Sequence, residues 1–132
     1  MTNPSAIAEL HELVLPAHAN HRHTLFAGQG LQWLAKAAFL AARRLAQREV
    51  VMARVTQADF LAPAPLGCEL VLRAWVSRVG TSSMTVCVSA VAGLPRVAPE
   101  EVLKAVFEMV AVDAAGRPAA IHSNDSDKEP IA

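Results

Sequence analysis

Three histidines, an asparagine and two glycines crowd into the stretch HANHRHTLFAGQG, from His18 to Gly30. An imidazole titrates near neutral pH without tuning, so His18, His21 or His23 can act as a base, and His23 stands nearest the glycines. The Asn20 amide can orient a water or polarise a carbonyl, but it has no basic atom near neutral pH. Gly28 and Gly30 carry no Cβ and let a ligand approach the backbone closely. What the stretch lacks is an acid, for no carboxylate occurs between Glu12 and Glu49. Two plainer readings stand beside this one. The histidines can simply form a solvated loop, with Asn20 bonded to its own loop backbone. They can also be metal ligands, with His11 or Glu12 as a fourth, but His-x2-His-x-His is not a known zinc spacing, so no metal is expected.

These residues need elements to hold them. Residues 7–15, ending before Pro16, predict a first strand, and residues 16–30 a long loop of the functional kind. Residues 31–48 lack Gly and Pro and are rich in Ala, Leu, Arg, Gln and Lys, which predicts a helix. It is apolar on most sides, with one polar stripe through Gln32, Lys36, Arg43 and Gln47, and is therefore expected to be buried on most sides. From residue 50 the apolar period changes to two. Strands are expected over 50–60, 68–79, 84–94 and 101–113, punctuated by LAPAPLG, GTSS and a loop marked by Pro95 and Pro99. The order is strand, loop, helix, four strands, without repeats. One helix against one antiparallel sheet is an α+β arrangement, and so apolar a helix needs a curved sheet wrapped around it. Residues 1–121 are expected to form a single domain and residues 122–132 a disordered polar tail.

The totals agree with this. A chain of 132 residues has one-domain length. Apolar residues make up 53% and charged ones 18%, which points to surface covered by another subunit. Twelve basic and twelve acidic side chains cancel, so no nucleic-acid partner is expected. No apolar run reaches the ~18 residues of a membrane span, and the N-terminus does not read as a signal peptide. Cys68 and Cys87 read as two buried thiols in a reducing compartment, and the expected location is the cytoplasm.

This order, with these words in it, resembles the hotdog-fold acyl-CoA thioesterases, in particular the bacterial short- and medium-chain acyl-CoA hydrolases and the brain-type acyl-CoA hydrolase domains. Four stretches carry the resemblance: PAHAN with LFAG after it, VTQADFLAPAPLGCEL, SRVGTSSMTVCV and AVFEMVAVDAAGRPAAI. Together they span roughly residues 10–121. The resemblance implies a hotdog fold and a homodimer whose sheets join edge to edge, often multiplied to a tetramer or hexamer. It places the active site between subunits, the helix start at the thioester carbonyl and CoA along the dimer surface. The CoA thioester is the substrate, and no cofactor is implied.

Thioester hydrolysis puts negative charge on the carbonyl oxygen. The unpartnered N–H groups of a helix start, here around Gly28, suit that oxygen. Asn20 stands where the family has an asparagine. The family's catalytic members usually carry an Asp or Glu on the helix about seven residues after the glycine pair, and that position, counted from Gly28, is Ala35. The resemblance thus leaves the base to His23, to Asp59 reaching in from the partner subunit, or to a water placed by Asn20. Asp59 also reads as structural support. RVGTSS implies CoA contacts from Arg78, Gly80, Thr81, Ser82 and Ser83, with Arg54 as a second phosphate partner. The expected function is acyl-CoA hydrolysis by a thioesterase whose helix acid is replaced. The alternatives are acyl-CoA binding without turnover, or acyl thioester dehydration or hydration, whose His–carboxylate pair would meet the same gap at Ala35.

Overall fold

The change from a 3.6-residue to a two-residue apolar period divides the chain into one helix and a run of strands. The computed structural model describes residues 7–121. It contains β1 (Ile7–Leu13), a 3-10 turn (Pro16–His18), α1 (Ala27–Ala46), β2 (Val50–Phe60), β3 (Glu69–Val79), β4 (Ser83–Leu94) and β5 (Val97–Ala111). The expected tail lies outside the described residues. Every neighbouring pair of strands is antiparallel, in the order β1-β3-β4-β5-β2. Short turns keep β3, β4 and β5 side by side, whereas the helix separates β1 from β2 and sends them to opposite edges.

Alternation decides the two faces. Leu70, Leu72, Ala74 and Val76 of β3, and Met84, Val86, Val88 and Ala90 of β4, are buried under the helix. The helix returns Trp33, Leu34, Ala37, Ala38, Ala41 and Ala42 to the same core. Among the described residues every buried side chain is apolar. No helix among them is long and apolar enough to cross a membrane. Cys68 is buried as expected, but Cys87 is only half-buried, because position 87 alternates onto the sheet face away from the helix.

Three elements differ by more than one residue from the sequence reading. The helix spans 27–46 rather than 31–48. Gly28 falls in the first turn, whose N–H groups need no intrahelical partner, Gly30 follows where Leu103 and Leu25 leave little room for a Cβ, and left-handed Gln47 (φ 56°) ends the helix early. The first strand stops at Leu13, because Pro16 opens the 3-10 turn. The last strand begins at Val97 instead of 101, since Pro95–Arg96 alone makes the turn, with Arg96 at φ 66°. Pro99 falls in a bulge between the Ala92–Glu100 and Leu94–Val97 pairs, where its missing N–H breaks no ladder.

The edge strand β2 is the exception to the buried pattern. Met52, Val55 and Phe60 stand opposite buried Met109, Phe107 and Leu103, so they share the helix side of the sheet. They are nevertheless 38%, 48% and 49% exposed. The helix does not reach far enough to cover them.

The other edge carries a charged cluster. His11 lies 2.7 Å from Glu9 through Nε2 and 3.2 Å from Glu69 through Nδ1, and Arg73 donates to Glu9 at 2.8 Å. Only an imidazolium donates from both nitrogens. The bonds to Glu9 and then Glu69 raise the His11 pKa above its usual value, while Arg73 and then His11 lower that of Glu9. A raised folded-state pKa means that this contribution to stability is full below about pH 6.5 and disappears as pH rises through the folded value. The melting-temperature gap between wild type and His11→Gln is therefore expected to be larger near pH 5.5 than near pH 9. An equal gap at both would show that the two carboxylates do not hold the imidazolium.

Candidate active site

The loop before the helix is organised by Asn20. Its Oδ1 accepts the N–H of Arg22 at 2.8 Å, the N–H of Thr24 at 3.2 Å and the Thr24 hydroxyl at 3.3 Å. Its backbone N–H donates to Thr24 O at 2.8 Å, and its backbone oxygen accepts the His23 N–H at 3.1 Å. The side-chain oxygen is thus committed to the loop, which fixes the amide orientation and leaves its NH2 group as the donating end.

The three loop histidines part company. His18 Nδ1 accepts the Leu15 N–H at 3.1 Å, and its ring packs edge-on against Trp33 at 4.9 Å, so it anchors the loop to the helix. His21 and His23 are exposed. His23 takes a left-handed conformation (φ 62°), and its backbone oxygen accepts the Leu66 N–H at 3.0 Å. Among the described residues no group of His, Cys, Asp or Glu is placed to hold a metal ion.

The helix start is open. Phe26 at the N-cap makes no side-chain capping bond, and no acid occupies the first turn. Gly30 is the first residue whose N–H is used within the helix, donating to Phe26 O at 3.1 Å. The N–H groups before it, at Ala27, Gly28 and Gln29, carry the positive end of the helix dipole. A cleft of about 300 Å³ adjoins them, lined by Asn20, Ala27, Leu25, Leu103 and the segment from Phe60 to Ala64. The sequence reading had singled out only Asn20 of these. The Pro-punctuated LAPAP run was the available sign that a backbone turn would wall the cleft.

The other sequence candidates are not among the residues that line it. His23, Gly28 and Asp59 do not line the cleft. Asp59 accepts from Gln57 at 2.6 Å and stands opposite Lys104, on the sheet face away from the helix. Ala35 packs half-buried against the core, and Lys36 beside it reaches Glu12 of β1 at 3.6 Å. Arg78 donates to Thr85 at 3.0 Å, to Glu108 at 3.3 Å and to Ser83 at 3.4 Å. Arg54 is exposed and lies opposite the same Glu108. In the adjoining turn the Gly80 N–H donates to Ser83 O, and the oxygens of Thr81 and Ser82 accept the N–H groups of Ile121 and Ala111. The two arginines and the turn therefore gather on the outer face, while Asn20 and the helix start gather on the inner one.

A sequence profile described as the thioesterase superfamily matches residues 23–98. The chain belongs to that superfamily. It is 40% identical over 81 residues to mouse Acyl-coenzyme A thioesterase 11, covering 60% of this chain but only 14% of that protein. It is 34% identical over 119 residues to the Uncharacterized acyl-CoA thioester hydrolase ZMO0511 of Zymomonas mobilis, covering 87% of this chain and 78% of that one. The fold matches the acyl-CoA hydrolase of Staphylococcus aureus, solved with butyryl-CoA, CoA and CoA disulfide. The TM-score is 0.84 at 27% identity, over 93% of this chain and 79% of that one. It also matches the hexameric thioesterase of Yersinia pestis, with TM-score 0.82 at 30% identity over 87% and 94% of the two chains. These are hotdog-fold thioesterases, and one long helix in a curved five-stranded sheet is the same architecture. The S. aureus enzyme was also solved as an asparagine-to-alanine and as an aspartate-to-alanine variant, at positions fifteen residues apart.

The two glycines at the helix start do different work. A Cβ on Gly28 would meet only the exposed Phe26 ring, at 2.7 Å, which can swing away. A Cβ on Gly30 would lie 3.0 Å from Leu103 and 3.2 Å from Leu25, both packed into the structure. Gly28→Ala is expected to leave the urea midpoint unchanged or slightly raised by helix propensity. Gly30→Ala is expected to lower stability by about 1–2 kcal/mol, because overpacking outweighs the same gain. A stabilised Gly30→Ala protein would show that the leucines yield freely.

Proposed function

We propose that this chain hydrolyses acyl-CoA thioesters to a free acid and CoA, slowly, from a site that retains its oxyanion donors and lacks its helix acid. The observation that supports this most is the uncapped helix start sharing one apolar cleft with Asn20. A thioester carbonyl in that cleft meets N–H groups of the first helical turn around Gly28 and the NH2 of Asn20. As water attacks the carbonyl carbon, charge moves to the oxygen, where these donors stabilise it more in the transition state than in the ground state. Collapse of the tetrahedral species breaks the C–S bond. The departing group is a thiolate, whose conjugate acid is far stronger than an alcohol, so the leaving step needs little acid help.

The water must still lose a proton. In the S. aureus enzyme the altered asparagine and aspartate are fifteen residues apart, and fifteen residues after Asn20 stands Ala35. A methyl group there removes a base that is typically worth 10²–10⁴-fold. His23, exposed at the loop tip, is the first replacement, and Asp59 of a second copy is the next. The uncovered Met52, Val55 and Phe60 on β2 fit pairing with that second copy, and a dimer could build into the hexamers seen in relatives. Arg54, Arg78 and the turn from Gly80 through Thr81 and Ser82 to Ser83 are proposed to hold the nucleotide end of CoA. Binding without turnover is the second reading, and the methyl at Ala35 is what favours it.

Thiol release from acyl-CoAs tests this. Ala35→Asp is expected to raise kcat by about 10²–10⁴-fold. Asn20→Asp keeps the acceptor for Arg22 and Thr24 but loses the NH2 donors, and a fall of about 10²-fold or more is expected. His23→Ala is expected to fall by a comparable factor. Tight acyl-CoA binding with no thiol release from either wild type or Ala35→Asp would overturn hydrolysis and leave the binding reading.

A further inference from the structure

Resting on the acyl-CoA reading, which gives the nucleotide end to Arg54, Arg78 and the turn at Gly80, we propose that Glu108 is the specificity residue of that end, and that it favours a ligand with phosphate at two separate points over one with phosphate at a single point. The strand register sets these residues in one row. Arg78 of β3 stands opposite Thr85 of β4, Thr85 opposite Glu108 of β5, and Glu108 opposite Arg54 of β2. Directly opposite residues share a face, so the row crosses four strands on the outer side of the sheet. The backbones of its two arginines are three strand spacings apart, about 14 Å. The row's one carboxylate stands between them. On the same face of β5 its neighbours are Val106 and Val110, so no second acid flanks it on that strand.

Both ends of the Arg78–Glu108 pair are held. Thr85 Oγ1 lies 2.9 and 3.1 Å from the two carboxylate oxygens of Glu108, and Arg78 Nη2 donates to that carboxylate at 3.3 Å. The Glu108 side chain is 25% exposed. Arg78 also donates from Nε to Thr85 at 3.0 Å and from Nη2 to Ser83 at 3.4 Å. Gly80 leaves room for this, since a Cβ there would lie 3.2 Å from Arg78 Nη1 and 2.9 Å from Ser83 Oγ. Among the described residues Nη1 makes no hydrogen bond, so the guanidinium keeps one free edge, and that edge lies at the turn. All these bonds lie within one chain and need no second copy. A phosphate at the free edge meets an arginine already ordered, which lowers the entropy cost of binding. A phosphate over the middle of the row meets the carboxylate and is repelled. A ligand with two phosphate-bearing points can take Arg78 with one and Arg54 with the other, leaving the carboxylate between them. CoA carries such a pair, a diphosphate and a 3′-phosphate, whereas 3′-dephospho-CoA carries the diphosphate alone.

Calorimetric dissociation constants of CoA and 3′-dephospho-CoA for the full chain test this. Loss of the 3′-phosphate is expected to weaken binding to the wild type by about tenfold or more. Glu108→Gln keeps the shape of the side chain and loses its charge. It is expected to bind 3′-dephospho-CoA about 3–10-fold more tightly and CoA within about twofold of wild type, so the ratio of the two constants falls at least about threefold. A merely structural loss lowers the melting temperature and weakens both ligands together, and leaves that ratio where it was. Thr85→Val releases the carboxylate from its hydroxyl and should lower the ratio by a smaller factor. It carries the comparison should Glu108→Gln fail to fold. A ratio unchanged by these substitutions, while Arg78→Gln and Arg54→Gln each weaken CoA by about fivefold or more, keeps the nucleotide end and overturns the role of Glu108. CoA affinity untouched by either arginine substitution sinks the nucleotide reading itself, and this proposal with it.

Discussion

The close approach of α1 to the sheet is the constraint from which the rest follows. Ala37, Ala38, Ala41 and Ala42 have no accessible surface at all, and they face Leu70, Leu72, Met84, Val86 and Phe107, which are equally covered. Small side chains on the helix let large ones on the strands fill the gap between two rigid layers at interior density. Because the core contains no buried polar side chain among the described residues, it fixes distance rather than chemistry. Polar work is left to what the helix carries at its ends. The start of the helix is brought over the inner face near the β2 edge, and Gly30 is what lets it arrive there against Leu103 and Leu25.

The electrostatics of that start are unusually simple. A helix commonly neutralises its first turn with a capping side chain or a carboxylate, and this one has neither. The loop before it spends its polar groups on itself: Asn20 accepts three donors, and His18 is held between the Leu15 N–H and the Trp33 ring. What remains at the helix start and on the Asn20 amide are donors. A site of donors alone stabilises an anion that forms, but it does not make the nucleophile that forms it. The missing carboxylate and the open helix start are thus two sides of one electrostatic arrangement.

Much of this was legible in the sequence, for physical reasons that differ by element. The strands β3 and β4 are central, so their alternation reports burial directly, and the inward sets of Leu70 to Val76 and Met84 to Ala90 match their positions under the helix. The layer arrangement was legible because one apolar helix needs a sheet to wrap it, whereas the hotdog assignment came from the resemblance of the quoted stretches. The helix start was less legible, because glycine lowers helix propensity in general and costs little in a first turn. The exposure of Met52 and Val55 was hidden as well. Their residue types say strand, but an edge strand beyond the reach of the helix has nothing to pack on. The anchoring of His18 was illegible, since Trp33 meets it only after the loop folds back.

The two faces of the sheet impose one more condition. Asn20 and the helix start lie on the inner side, whereas Arg54, Arg78 and the turn at Gly80 lie on or beside the outer side. A ligand with an acyl thioester at one end and phosphates at the other cannot pass through a hydrogen-bonded ladder. It can join the two around the β2 edge, where inward Phe60 and outward Asp59 are neighbours, or by taking its two ends from different copies of the chain. That same edge carries the exposed apolar side chains. Covering it with a second copy would bury apolar surface and juxtapose inner and outer residues of opposite subunits in one step. The feature that looks most like a defect in the isolated chain, a long bare edge strand, is therefore where the two halves of the proposed site can meet.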